Sequence, residues 1–147
     1  MKAFTLAEVL IVLAIILALS AVGWPLIGNW SFNAQTNNAK SEMVQIIRLA
    51  RERSLAGFKN QTHGIKLMSD GYVLFQGDSY QTRQDQYDLE IKLHKGLVIS
   101  YQLAGIGPSA DEVVFDGFGY PSRWGSITIS AGETQSIIGL KQTGMVE

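Results

Sequence analysis

The chain has 147 residues, 46% of them hydrophobic, a formal net charge of −1 at pH 7 and no cysteine. That length suits a single domain. The missing cysteine excludes disulfides and thiolate metal sites, and the near-zero charge gives no general pull toward nucleic acid or an anionic surface.

The apolar residues are concentrated at the start. From Val9 to Ile27 no side chain ionises; Ser20 is the polar interruption, with Gly23 and Pro25 near the end. About twenty helical residues, at ~1.5 Å each, cross the ~30 Å hydrocarbon core of a bilayer, so Phe4 to Ile27 is long enough to span. Glu8 stands at the head of this run. A carboxylate near the membrane interior is costly unless paired, and the sequence predicts a partner for it. An ordinary secretory signal has a basic n-region, a shorter apolar stretch and a small-residue cleavage site after it. Here the small residue, Ala3, precedes the run, so a cut there would keep the helix on the mature protein. Lys2 favours a cytoplasmic N-terminus by the positive-inside rule. The plain alternative is an unprocessed signal anchor on an extracytoplasmic protein.

Ala3-Phe4-Thr5-Leu6-x-Glu8-Val9-Leu10 resembles the processing site of type IV pilins and type II secretion pseudopilins. It departs from that site at Ala3, where glycine is usual. The resemblance implies a prepilin peptidase that cuts between Ala3 and Phe4, and methylation of the new N-terminus. It also implies Phe4 and Glu8 as assembly residues, the Phe4 amine being neutralised by a neighbouring subunit's Glu8. The implied organisation is a leader over 1–3, a transmembrane and filament-core helix over 4–27, and a periplasmic or extracellular pilin-like domain over 28–147.

Lys40 to Leu55 is amphipathic: Met43, Ile46, Ile47 and Ala50 recur at helical spacing among Arg48, Arg51, Glu52 and Arg53. Gly57 is a stop signal. The pattern predicts one helix from Phe4 to about Ala56, roughly 80 Å long. Gly23 and Pro25 predict a break or opened turn within it, because proline removes a donor and clashes one turn back. Pilins often carry a proline in this region, and the resemblance implies that the helix loosens there on packing. Trp24 and Trp30 suit interfacial anchors.

From His63 the periodicity shortens. His63–Met68 and Tyr72–Gln76 flank Ser69-Asp70-Gly71, a hairpin signal. Asp88–Leu93 alternates as a half-buried strand, Leu97–Leu103 follows a Lys95-Gly96 turn, and Val113–Phe115, Ser126–Ser130 and Ser136–Leu140 complete the set. Ser79–Gln86 and Gly105–Pro108 read as loops. The fold class is α+β: a long N-terminal helix, its first half membrane-spanning, packed on an antiparallel β-sheet. Phe115-Asp116-Gly117-Phe118-Gly119-Tyr120-Pro121 further resembles the F-x-x-x-G-x-P turn of the GspH/FimT group of minor pseudopilins and pilins. Leu49-Ala50-Arg51 and the ending Lys141-Gln142-Thr143-Gly144-Met145-Val146 also suit that group.

No catalytic motif occurs, and neither enzyme activity nor a cofactor is expected. His63 and His94 sit beside turn glycines at strand ends, where surface positions are expected. Asp111, Glu112 and Asp116 are candidate oxygen ligands for calcium but lack EF-hand spacing; a solvated acidic turn is the simpler expectation. Tyr72, Phe75, Tyr80, Tyr87 and Tyr101 are expected to pack rather than to stack on bases. Some FimT-like minor pilins bind DNA through basic C-terminal residues. This tail ends in Glu147, and Lys141 with Arg123 makes a poor phosphate footprint, so DNA is not an expected partner. The expected partners are prepilin peptidase, other pilin or pseudopilin subunits, an inner-membrane assembly platform and membrane lipid. The expected location is the cytoplasmic membrane, single-pass, and afterwards an extracytoplasmic filament. A pilus and a secretion pseudopilus both fit, as do major and minor subunits.

Overall fold

One 50-residue helix, α1 (Leu6–Leu55), carries the whole fold. The computed structural model describes residues 5–147, and residues 21–31 by their secondary structure alone. At ~1.5 Å per residue α1 is about 75 Å long. Thr5 caps its start; Gly57, left-handed, follows its end, and its amide donates to the Ser54 carbonyl at 3.0 Å. The expected break at Gly23 and Pro25 falls within 21–31, outside the described side chains. The expected membrane span, 4–27, also lies partly outside the described residues. Among those described, no helix is long and apolar enough to cross a membrane.

The second half of α1 is amphipathic as its spacing predicts. Thr36, Ala39, Met43, Ile47 and Ala50 are buried along one face, and Val44, Ile46 and Leu49 pack partly against the same core. Against this face lie seven strands: β1 (His63–Met68), β2 (Gly71–Gln76), β3 (Leu89–Lys92), β4 (Val98–Gly105), β5 (Glu112–Phe115), β6 (Arg123–Ala131) and β7 (Thr134–Leu140). Each expected strand is present. They form two sheets rather than the single one expected, with orders β3-β2-β1-β5 and β4-β6-β7, all pairings antiparallel.

Strand β4 leaves β3 to pair with β6 across the chain, and the β1–β2 turn stands between the two sheets. The Ser69 carbonyl accepts from the Ile99 amide at 3.0 Å, and the Asp70 carbonyl from Leu93 at 2.9 Å. Turn carbonyls thus cap the end of one sheet and the start of the other, satisfying backbone groups where a continuous ladder would have run. Ile65, Leu67, Leu74, Val113, Phe115, Ile127, Ile129, Ile138 and Leu140 fill the space between the sheets and α1.

Candidate assembly site

The first turn of α1 is built by a short polar motif. Thr5 is extended (φ −79°, ψ 150°), and its hydroxyl oxygen accepts from the Glu8 amide at 3.3 Å. The Glu8 carboxylate folds back: Oε2 accepts from the Thr5 amide at 3.3 Å and from the Thr5 hydroxyl at 3.2 Å. This is a capping box, Thr-x-x-Glu, which satisfies orphan donors and places negative charge at the positive end of the helix. The partner that the sequence demands for Glu8 therefore lies, in part, within its own chain. Ala3 and Phe4, the other expected processing and assembly residues, are outside the described residues.

From Val9 to Leu19 the helix is bare. Val9, Leu10, Ile11, Val12 and Leu13 are consecutive and each about half exposed or more, and Leu17 and Leu19 are both 70% exposed. Five consecutive residues cover every side of a 3.6-residue turn, so the helix is apolar all round. Such a surface is stable in lipid or inside an assembly, not in water.

At the far end of α1, Arg51 is the hub of the turn that carries the F-x-x-x-G-x-P pattern. Its Nε donates to the Gly119 carbonyl at 3.1 Å. Asp116 Oδ1 accepts from the Phe118 and Tyr120 amides at 2.9 and 2.8 Å, and Phe115 bridges to Pro121. The C-terminal turn closes over the same guanidinium. Gly144 has φ +78°, and a Cβ there would sit 2.3 Å from the Gly119 carbonyl oxygen, so only glycine fits this approach. The pattern is a packing device that locks two turns onto the helix end.

The remaining candidates are structural. Lys66, buried to 18% exposure, reaches Asp111 at 2.8 Å and the nearly fully buried Glu112 at 3.3 Å, and Glu112 Oε2 also accepts from the Tyr80 amide at 3.1 Å. Burial works to lower the Lys66 pKa, but the two carboxylates outweigh it and hold it above its ordinary value. Burial likewise pushes Asp111 upward, and hydrogen bonds from Lys66 and Ser109 overcome it and hold it low. These oxygens are committed to an ammonium, and Asp116 to backbone amides. Among the described residues no group of His, Cys, Asp and Glu could hold a metal ion. Arg123 donates to the Ser109 and Gly105 carbonyls at 2.8 and 3.1 Å, and Lys141 pairs with Glu147. Neither is a free phosphate contact.

His63 corrects an expectation. It is 1% exposed rather than on the surface, and both ring nitrogens lack a hydrogen-bond partner. It shares the inward parity of Ile65 and Leu67, a signal present in the alternation of β1. Burial lowers its pKa most; the positive charges of Arg53 on α1 and Lys59 in the turn above add to this and together outweigh the opposing pull of the nearby Gln61 backbone. With the folded pKa below the unfolded value of about 6.5, the unfolded state binds more protons in that window. Stability is then fully present above about pH 6.5 and is lost as pH falls through the folded pKa. Thermal melts between pH 7.5 and pH 5 should show a falling midpoint for the native chain and a flatter profile for His63→Gln.

A long helix whose C-terminal half is crossed by antiparallel strands is a pilin-like α+β fold. Two solved structures of the minor pseudopilin EpsH from the type II secretion system of Vibrio cholerae have this fold. Each matches with TM-score 0.57 and 15% sequence identity, covering 77% and 78% of this chain and 94% and 93% of the EpsH chains. No protein-family model matches, and no curated protein does.

Proposed function

We propose that this chain is a structural subunit of a type II secretion pseudopilus or type IV pilus, of the minor GspH/FimT kind. It is held in the membrane by α1 and transferred to a filament whose core α1 then lines. One observation carries this: the same helix is apolar all round from Val9 to Leu19 and exposed there, yet one-faced and buried from Thr36 to Ala50. A helix of that form needs two environments, a protein core for one half and lipid or sister helices for the other. The likeness of fold to a minor pseudopilin supports the same conclusion. The proposed partners are prepilin peptidase, sister subunits and an assembly platform in the cytoplasmic membrane.

Processing between Ala3 and Phe4 is the direct test. Intact-mass measurement of the chain from its native membrane should show loss of Met1-Lys2-Ala3 and gain of one methyl group. A mature chain that still begins at Met1 would overturn the processed-subunit assignment in favour of a plain anchor.

A further inference from the structure

One sheet face is uncharged from end to end. In β4-β6-β7 the residues of one parity point toward α1 and are buried, among them Ile99, Ile127, Ile129 and Ile138. The alternate residues form the opposite face. There Ser100 lies beside Thr128 and Ile137, and Gln102 lies beside Ser126 and Gly139. Val98, Ser130 and Gln135 continue this face at one end, Ala104 and Trp124 at the other. None of these side chains ionises. Glu133 is in the β6–β7 turn and Lys141 lies past the end of β7, so charge stops at the ends of the face. The other sheet differs: its short strand β3 carries Glu90 and Lys92, both exposed.

The polar groups of this face are free. Among the described residues, the hydroxyls of Ser100, Ser126 and Thr128 and the side-chain amides of Gln102 and Gln135 make no hydrogen bond within the protein. Such positions stand about 4.8 Å apart across the strands and about 7 Å apart along them. A hydroxyl both donates and accepts, and a side-chain amide does both through different atoms. Trp124 closes one end. Its ring covers Gly105, where an added Cβ would lie 2.8 Å from Cζ3, and the residue stays partly exposed. Gly139 leaves open space beside Ser126, with nothing within 4 Å of an added Cβ.

We propose that this face is a binding platform for an uncharged polysaccharide laid flat across the strands. A neutral sugar chain presents hydroxyls that donate and accept, and C–H edges that suit the negative face of an indole ring. It carries no ion, so a surface that binds it must not leave a charged side chain desolvated beneath it. Other ligand classes fit worse. Nucleic acid and anionic lipid need lysine or arginine, and the face has neither. Protein interfaces draw their energy from aromatic and arginine anchors and little from serine and threonine. The face lies opposite α1, so in the proposed filament it is on the exterior. That placement rests on the proposed assembly of α1; binding by the single chain does not, and the two fail separately.

The test is native gel electrophoresis of the full chain in non-ionic detergent, with hydroxyethylcellulose, a neutral glucan derivative, cast in the gel. Mobility relative to a polymer-free gel should fall as polymer concentration rises. Thr128→Lys places an ammonium at the centre of the face and should weaken binding about tenfold or more, because that charge would be desolvated against neutral groups. Gln45→Lys adds the same charge at an exposed position on α1 and should bind as the native chain does. Trp124→Ala and Gln102→Ala should each weaken binding; the second leaves the indole over Gly105 in place and so reads the face without disturbing the fold. Absence of retardation, or retardation unchanged in Thr128→Lys and Gln102→Ala, overturns the proposal. So does stronger retardation by polygalacturonate, an acidic polymer, which would make the contact electrostatic. A disulfide between two Thr128→Cys chains in native filaments would show this face covered by a sister subunit and would overturn it as well; the chain has no cysteine of its own.

Discussion

Glu8→Ala should leave the protein in its membrane and remove it from filaments. Losing a carboxylate makes the anchor more apolar, so insertion is unharmed or improved. After processing, the Phe4 amine would be buried in an assembly without its acidic counterpart, a penalty on the order of 3–5 kcal/mol for a broken buried pair. The capping box adds a second role, since the same carboxylate closes the first turn of its own helix. Thr5→Ala separates the two: it removes the cap, worth about 0.5–2 kcal/mol, and keeps the charge. Membrane and sheared-filament fractions should show near-normal incorporation for Thr5→Ala and little for Glu8→Ala. Equal losses would mean that Glu8 serves only to start the helix. Cleavage of both variants is read on the same samples.

Gly125→Ala should be the most damaging small substitution in the domain. Gly125 has φ +146° within β6, and a Cβ there would lie 2.1 Å from the Gln102 carbonyl oxygen. Backbone strain of about 1–3 kcal/mol combines with overpacking of about 1–3 kcal/mol against an atom held in the ladder between β4 and β6. Thermal unfolding should fall by roughly 10 °C or more. Gly139→Ala is the matched control: β7 is also a strand, but nothing lies within 4 Å of the added carbon. Its effect should stay within about 0.5 kcal/mol. Comparable melts for the two variants would mean that β4 and β6 do not approach at Gln102 as described.

The strands were legible because their signals are local. Ser69-Asp70-Gly71 marks the β1–β2 hairpin, and alternation places Ile65, Leu67, Ile127 and Ile129 inward. The partition into two sheets was not legible, because the second neighbour of β1 is β5, with Lys66 and Glu112 separated by 46 residues. Nothing local in the sequence says that β4 prefers β6 to β3. Glu8 shows a different kind of miss. Thr5-Leu6-Ala7-Glu8 is a complete capping-box pattern, but the apolar run behind it drew attention to the cost of the charge rather than to the donors beside it. His63 reads as a surface residue because Gly64 suggests a turn beside it, but Gly64 lies inside β1 and the parity of His63 with Ile65 points inward.

The order in which the chain is made has a consequence for how the domain closes. Asn37 on α1 accepts from the Ser136 hydroxyl on β7 across 99 residues of sequence, and Arg51 near the end of α1 meets the turn at Gly144. The helix is complete early, but the strands that cover Met43, Ile47 and Ala50 include the last ones synthesised. At ~5–20 residues per second, the apolar stripe of α1 stays uncovered for roughly 5–20 s after it emerges. Loop closure over such separations also makes the final docking slow relative to helix formation. Throughout that interval the growing chain has two apolar helical surfaces to shield, and under the proposed anchoring only the first of them would have the bilayer as a solvent.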